Sequence, residues 1–206
     1  MIEDIVNNNG YDYVDLGLPS RTLWATMNVG ATKLSDPGMY FQFGDIQGYT
    51  KDQVGKSEGQ KAFTWKDYKF SINGSDKDFI KYTTKNAKLK LEDDAAHINM
   101  KGGWHIPSPE QCQELIDNTT TIWTRLDNMG MKFVSKKDPL KFIFIPAAGD
   151  ALDGSVKRDE WHGFVWTSRL SPNAIRYGQR FYFLSERISL NSFVRCNGLS
   201  VRGVIG

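Results

Sequence analysis

The chain has 206 residues, 40% hydrophobic and 24% charged, a size and balance that fit one medium globular domain and exclude long disorder. Twenty-six Lys and Arg against 24 Asp and Glu leave a formal charge of +2, which removes the electrostatic reason to expect a dedicated binder of nucleic acid or membrane surfaces. No run approaches the roughly 20 apolar residues of a membrane span, and the acidic Met1–Asp4 start does not read as a signal peptide.

Residues 1–9 are polar and end in three Asn, which reads as a flexible lead-in to a single domain over 10–206. Tyr13–Gly17, running into the Leu18-Pro19-Ser20 turn, and Thr22–Gly30 read as strands, and Met39–Gly44 as a short aromatic strand. Between about 45 and 90 Lys, Asp, Gly and Ser dominate, broken by Phe63, Trp65, Tyr68 and Phe70. Aromatic anchors spaced this way pin a long excursion onto a core, so 45–90 reads as a packed insertion. Lys56, Lys61, Lys66 and Lys69 within it, offset by nearby acids, read as a solvated face.

Leu91–His97 places acids ahead of two Ala and suits a helix start. Ser108 before Pro109, with Gln111 three residues on, predicts a capped helix over 108–118 whose Cys112, Leu115 and Ile116 share a face. Short strands follow at Lys132–Val134, Phe142–Ile145, Gly163–Thr167, Arg180–Leu184, Arg187–Leu190 and Ser200–Val204. Two helices with many short strands make this an α+β chain with a small antiparallel sheet.

Candidate chemistry is sparse. Glu92-Asp93-Asp94 reads as helix capping and solvated charge in preference to a calcium site or an acid/base pair, because adjacent carboxylates on a helix diverge by about 100°. Gly102-Gly103-Trp104-His105 lacks the Lys-Ser or Lys-Thr of a P-loop and reads as a tight turn delivering Trp104 to the core, with His105 structural. Trp24 and Trp166 are expected in the same core, beside turns at Gly30 and Gly163. His97, His105 and His162 are too scattered for a zinc cluster, and no GxSxG elbow is present. Cys112 and Cys196 form no CxxC pair, and two free thiols are preferred to one long-range disulfide.

The last forty residues differ in texture. Phe181, Phe183, Ile188 and Leu190 recur with the period of a half-buried strand and are predicted to be buried. Between and around them stand Arg176, Tyr177, Arg180, Tyr182, Leu184, Arg187, Ser189 and Phe193; of these, Arg180, Tyr182, Arg187 and Ser189 are predicted to be exposed. Arg and Tyr dominate binding hot spots, whereas an ordinary solvent-facing hairpin carries Lys, Glu and Thr. Composition alone leaves a binding surface and a plain hairpin equally open.

Several segments together resemble a known family. Tyr13-Val14-Asp15-Leu16-Gly17-Leu18-Pro19-Ser20, Leu23-Trp24-Ala25-Thr26 and Asn28-Val29-Gly30-Ala31 are similar to the opening of the Fibrobacter succinogenes major paralogous domain. The likeness continues through Gly38-Met39-Tyr40-Phe41, Trp65-Lys66-Asp67-Tyr68, Leu91–Ala96 and Gly103-Trp104-His105-Ile106-Pro107-Ser108. It closes with Phe144–Gly149, Gly163–Ser168 and Gly198-Leu199-Ser200-Val201-Arg202.

The resemblance implies a C-type lectin-like fold of the formylglycine-generating-enzyme branch. It also implies the role of many members of that branch, the variable proteins of diversity-generating retroelements in Bacteroides and their phages. In those systems adenine-directed copying rewrites the 3′ end of the gene. On that basis 165–200 is the variable region, borne on a scaffold of residues 10–168 plus the C-terminal anchors. Its ligand-facing positions are Arg169, Ser171, Ala174, Arg176, Tyr177, Gly178, Arg180, Tyr182, Leu184, Arg187, Ser189, Asn191, Ser192, Phe193 and Cys196. Arg187–Phe193 resembles an Asn-rich template after scrambling, and Cys196 a converted Tyr.

The implied function is non-enzymatic binding of a protein or glycan on a bacterial surface, from a phage tail or capsid or from the outside of a cell. No cofactor, metal, nucleic acid or membrane insertion is implied. Arg21 and Met27 depart from the usual Gly and Cys of relatives. The paired cysteines of the formylglycine-generating enzymes are missing, so their oxidase chemistry is not implied. The Glu-Pro-Asn and Trp-Asn-Asp motifs of calcium-dependent lectins are missing too. The alternatives are a non-diversified adhesin or structural domain, and an enzyme built on the same scaffold.

Overall fold

The computed structural model describes residues 6–206. In chain order the first strands are β1 (Val6–Asn8), β2 (Tyr11–Asp15) and β3 (Leu23–Asn28), followed by helices α1 (Ala95–Met100) and α2 (Pro109–Asn118). Then come β4 (Thr119–Arg125), β5 (Met129–Ser135), β6 (Phe142–Pro146), β7 (Asp150–Leu152) and β8 (Ser155–Lys157). The chain finishes with β9 (Gly163–Leu170), β10 (Tyr177–Leu184), β11 (Arg187–Val194) and β12 (Arg202–Ile205). The described strands pair antiparallel in sheets ordered β1-β2-β3-β12, β11-β10-β9, β4-β5-β6 and β7-β8, so the α+β expectation holds. None of the described helices is long and apolar enough to cross a membrane.

The first sheet brings the two ends of the described chain together, with β12 on the outer side of β3. The lead-in expectation needs correction here. Residues 1–5 lie outside the described residues, but β1 is paired, and Asn9 and Gly10, both at positive φ, turn it into β2. Asn-Gly is a strong hairpin signal because both turn positions tolerate the left-handed region. Asn8 then accepts from the Trp104 indole at 3.2 Å and donates to Gly102 O at 2.7 Å, which fastens the segment to the Gly102-Gly103 turn.

Both predicted helices form, the first with a later start than expected and the second where its cap places it. Leu91–Asp93 is a 3₁₀ turn, and α1 begins after Asp94, whose carboxylate accepts from His97 N at 2.9 Å. At α2, Ser108 and Gln111 make the reciprocal capping bonds, and Cys112 and Leu115 are fully buried. Met39–Gly44 is not a strand: Tyr40 and Phe41 make only isolated bridges to Tyr49 and Leu199, and this run is fixed by burying its aromatic rings. β4 was not foreseen although Thr119–Arg125 is rich in β-branched residues; it pairs along its whole length with β5.

Two large apolar clusters and a small third one of Tyr40, Phe63, Ala148 and Ala151 form the interior of the described residues. One gathers Trp24, Cys112, Leu115, Phe133, Ile145, Val165, Phe181 and Phe183 between α2 and the sheets. The other gathers Phe41, Phe43, Tyr68, Phe70, Phe79, Tyr82, Trp104 and Trp166, so residues 45–90 are packed down by their aromatics as expected. Trp24, Trp104 and Trp166 are all buried. The lysine expectation holds in part: Lys56, Lys66 and Lys69 are exposed, whereas Lys61 is largely covered, donating to Asp67 O at 2.7 Å.

Two buried arginines tie distant segments without a carboxylate. Arg195 donates to Tyr68 Oη at 2.7 Å, to Ile175 O at 2.9 Å and to Tyr82 O and Lys81 O at 3.2 Å. Arg202 donates to Asn28 Oδ1 and Ala25 O at 2.9 Å and to Phe144 O at 2.8 Å. Removing water from the Arg202 guanidinium pushes its pKa down to about 9, still above neutrality.

Candidate functional site

The register of β9, β10 and β11 decides which side chains share a face, since residues directly opposite one another in an antiparallel pair point the same way. Phe181 lies opposite Leu190 and Val165, and Phe183 opposite Ile188 and Gly163. This face turns toward α2. Phe181 and Phe183 are fully buried there, while Ile188 and Leu190 pack against the same cluster half-buried, because β11 is the edge of its sheet. Gly163 is required by this packing: a Cβ on it would stand 1.9 Å from the Phe183 ring.

The opposite face carries Arg180 beside Asn191 and Trp166, Tyr182 beside Ser189 and Phe164, Leu184 beside Arg187, and Phe193 beside Gly178. Only Arg187 is exposed as predicted. Arg180, Tyr182 and Ser189 are half-buried, which corrects the simple in–out alternation. The physical reason is that Phe164 and Trp166 belong to the second core cluster, so this face is partly roofed and not open sheet.

The roof is aromatic. Phe164 stacks on Phe193 with centroids 5.7 Å apart and on Tyr182 at 5.4 Å, and His162 stacks on Tyr182 at 5.9 Å. The Arg180 guanidinium lies 3.6 Å from the Phe193 centroid and 4.1 Å from that of Phe164, within cation–π range of both. Its Nε donates to Asn191 Oδ1 at 2.7 Å, and Asn191 in turn donates to Ser189 Oγ at 3.3 Å. At the margin, Arg158 grips the fully buried Asp150 through two bonds of 2.7 and 2.6 Å, and Asn197 donates to the same carboxylate at 3.3 Å.

Electrostatics follow from this packing. Burial pushes the Arg180 pKa down to about 10, with Asp150 pulling it up and Arg158 down; the group stays charged at neutral pH. Burial, then the charges of Arg158 and Arg180, hold the His162 imidazole below its ordinary value. Sequence reasoning missed Arg158, His162 and Phe164. Of these, Phe164 was legible, being two residues from Trp166 and therefore on its face of the strand.

The remaining residues implied by the resemblance divide. Ser171, Gly178 and Cys196 are buried and do not present side chains to a ligand, which corrects their assignment. Ser171 Oγ pairs with Ser192 Oγ at 2.6 Å; a Cβ on Gly178 would meet Phe43 at 2.6 Å and Trp166 at 2.8 Å; and Cys196 sits among the core aromatics. Arg169 is held by Glu110 at 2.6 Å and Arg176 by Asp76 at 2.9 Å, so both are engaged in ion pairs to other segments. Ala174 and Tyr177 are half-buried at the entry to β10. The structure therefore gathers Arg180, Tyr182, Leu184, Arg187, Ser189, Asn191 and Phe193.

The other sequence candidates resolve as structural. Asp94 caps α1 and also accepts from Ile106 N at 2.9 Å. Asp93 is buried and accepts from Lys81, Tyr82 and Lys69, so it is a packed ion-pair centre and not solvated charge. Both cysteines are free and buried. Among the described residues no group of three or more His, Cys, Asp or Glu is placed to hold a metal ion. A cavity of about 500 Å³ lies elsewhere, lined by acids that include Asp36, Asp52, Asp159 and Glu160, and none of the sequence-derived candidates lines it. No family model matches the chain, and neither the curated proteins nor the solved structures yield a relative.

Proposed function

We propose that this chain is a non-enzymatic ligand-binding module with a C-type lectin-like scaffold, and that the face of β10 and β11 carrying Arg180, Tyr182, Leu184, Arg187, Ser189, Asn191 and Phe193 receives the ligand. The observation that carries this reading is the composition of that face. Rings and guanidinium groups, half-open to solvent, stand on strands whose other face is locked into the core by Phe181 and Phe183. Large planar side chains with few torsions give much contact area at low entropic cost. The ligand is a protein or glycan of a bacterial surface, met from a phage particle or from the outside of a cell. Diversification by a retroelement would act on these seven positions and spare Ser171, Gly178 and Cys196.

Two experiments test it. Flanking DNA should hold a repeat that differs from codons 165–200 almost only at adenines, beside a reverse-transcriptase gene; its absence leaves a non-diversified adhesin. Labelled protein should bind a panel of bacterial cells, and a variant with Tyr182, Arg187 and Phe193 changed together to Ser should lose that binding while remaining folded. Full binding by the folded variant would place the site elsewhere, and turnover of a surface substrate would favour the enzyme alternative.

A further inference from the structure

Most strand edges in this molecule are closed. The outer side of β12 is covered by His105, whose backbone N and O bond Val204 at 3.0 and 2.9 Å. β9 is bridged by Lys88 and Ser200 and β7 by Gly198, while the Arg202 guanidinium takes Phe144 O of β6. β1 and β8 are three residues long, and edges that short are poor templates for another strand. Among the described residues two long edges stay open, those of β4 and β11.

β4 is the outer strand of its sheet, and the backbone of residues 120–124 bonds only to β5 among the described residues. The pairing runs without a bulge from Thr119 opposite Ser135 to Arg125 opposite Met129. Natural edges are guarded by Lys, Pro, bulges or inward charges. Residues 119–124 carry none of these; they are Thr, Thr, Thr, Ile, Trp and Thr, all strand formers. Thr120 and Ile122 stand exposed on the solvent side, Ile122 to 47%, while Trp123 on the other side packs against the core. The one charge of the strand, Arg125, is held by both oxygens of Glu160 at 3.0 and 3.2 Å.

We propose that the open edge of β4 is a self-association surface, pairing antiparallel with β4 of a second copy of this chain about a two-fold axis at Ile122. The strand is its own complement in that register. Ile122 lies opposite its equivalent, Thr120 opposite Thr124 of the other copy, and Thr121 opposite Trp123. Thr–Thr and aromatic–β-branched pairs are favourable across strands, and no like charges face each other. β11 lacks this complementarity. Arg187 is exposed on it, and Arg158 and Arg180 beside Phe193 outnumber Asp150, so two copies meeting there would bring like charges together. A strand of seven residues on each side buries less than about 1,200 Å², the range of weak interfaces, so a Kd on the order of 10–100 μM is expected. The inference stands apart from the receptor-face reading; where both hold, one dimer carries two receptor faces.

Sedimentation equilibrium of the whole chain from about 1 μM to about 1 mM should show a reversible monomer–dimer equilibrium. Ile122→Lys sets two like charges face to face at the axis and should weaken the dimer about tenfold or more. Leu140→Lys, at an exposed site between β5 and β6, should leave it within about twofold, with circular dichroism confirming that both variants are folded. Ile122→Cys reads the register separately. Cys112 and Cys196 are buried, so a short bis-maleimide should join the introduced thiol to its equivalent in the other copy. Leu140→Cys should cross-link poorly at the same concentration. Should Ile122→Lys fail to fold, the comparison of the two cysteine variants decides. A chain monomeric throughout the range overturns the inference and leaves this edge to an unlike strand. A dimer that folded Ile122→Lys leaves intact, or equal cross-linking of Ile122→Cys and Leu140→Cys, overturns it as well.

Discussion

Arg195 Nε donates to Tyr68 Oη across 2.7 Å, joining the strand-end after β11 to an aromatic anchor 127 positions earlier in the chain. The same guanidinium takes the carbonyls of Lys81, Tyr82 and Ile175, so one buried side chain fastens the 45–90 excursion under the candidate face. Arg195→Met should therefore do more than remove a charge. It leaves three carbonyls and a hydroxyl without their donor, and a loss on the order of 3 kcal/mol is expected from unsatisfied buried groups. Urea unfolding gives the magnitude, and limited proteolysis should show cleavage within 45–90 before the rest of the chain. Uniform resistance would mean that the excursion is held by its rings alone.

Gly178 belongs to the segment that the family resemblance marks as variable, yet the structure leaves no room for a side chain there. Gly178→Ala should cost roughly 1–3 kcal/mol, the usual result of overpacking. The nearest atoms are the rigid rings of Phe43 and Trp166, which cannot yield as a flexible chain end would. A melting temperature equal to wild type would show that the sheet bulge between Gly178 and Arg180 absorbs the methyl group.

Trp104 is fully buried, with Tyr11 and Tyr13 edge-on to it at 6.5 and 6.3 Å. Trp104→Ala should destabilise by roughly 3–5 kcal/mol, as for other large buried aromatics. Loss of less than about 1 kcal/mol in denaturant melts would contradict the placement of the indole.

Cys112 and Cys196 sit in different apolar clusters, and burial, the largest cause at each, raises both thiol pKa values, that of Cys196 to about 12. Neither should react with a thiol reagent in the folded protein, and both should react in urea. Intact mass should match two thiols; a mass lower by two hydrogens would reveal a disulfide.

The depressed pKa of His162 gives a pH dependence whose sign can be worked out. Folded His162 gives up its proton more readily than the unfolded residue at about 6.5, because of burial and then the positive charges of Arg158 and Arg180. Below that value the unfolded chain holds more protons, so stability falls as pH drops through and below 6.5. His162→Gln should flatten that part of the profile between pH 7.5 and pH 5, measured by thermal melts. An unchanged slope would assign the acid sensitivity to other groups.

How much of this was legible can be argued from particular residues. The Ser108, Pro109 and Gln111 spacing predicted the start of α2 because capping is a local matter settled within four residues. The alternation of Phe181 and Phe183 predicted the buried side of β10 because the pleat has period two. The Asn9-Gly10 turn was equally local and was passed over, hidden behind the polar look of the first nine residues. What the sequence could not show was the state of the other face. Whether Arg180 stands in water or against two rings depends on Phe164 from β9 and Phe193 from β11, brought beside it by register, and on the core cluster that roofs them. In the same way the buried state of Ser171, Gly178 and Cys196 is set by Phe43 and other groups far away in the chain. Period and capping are properties of neighbours along the backbone, and the sequence by itself determined them; burial and charge environment are sums over contacts made at long range, and only the tertiary structure decided those.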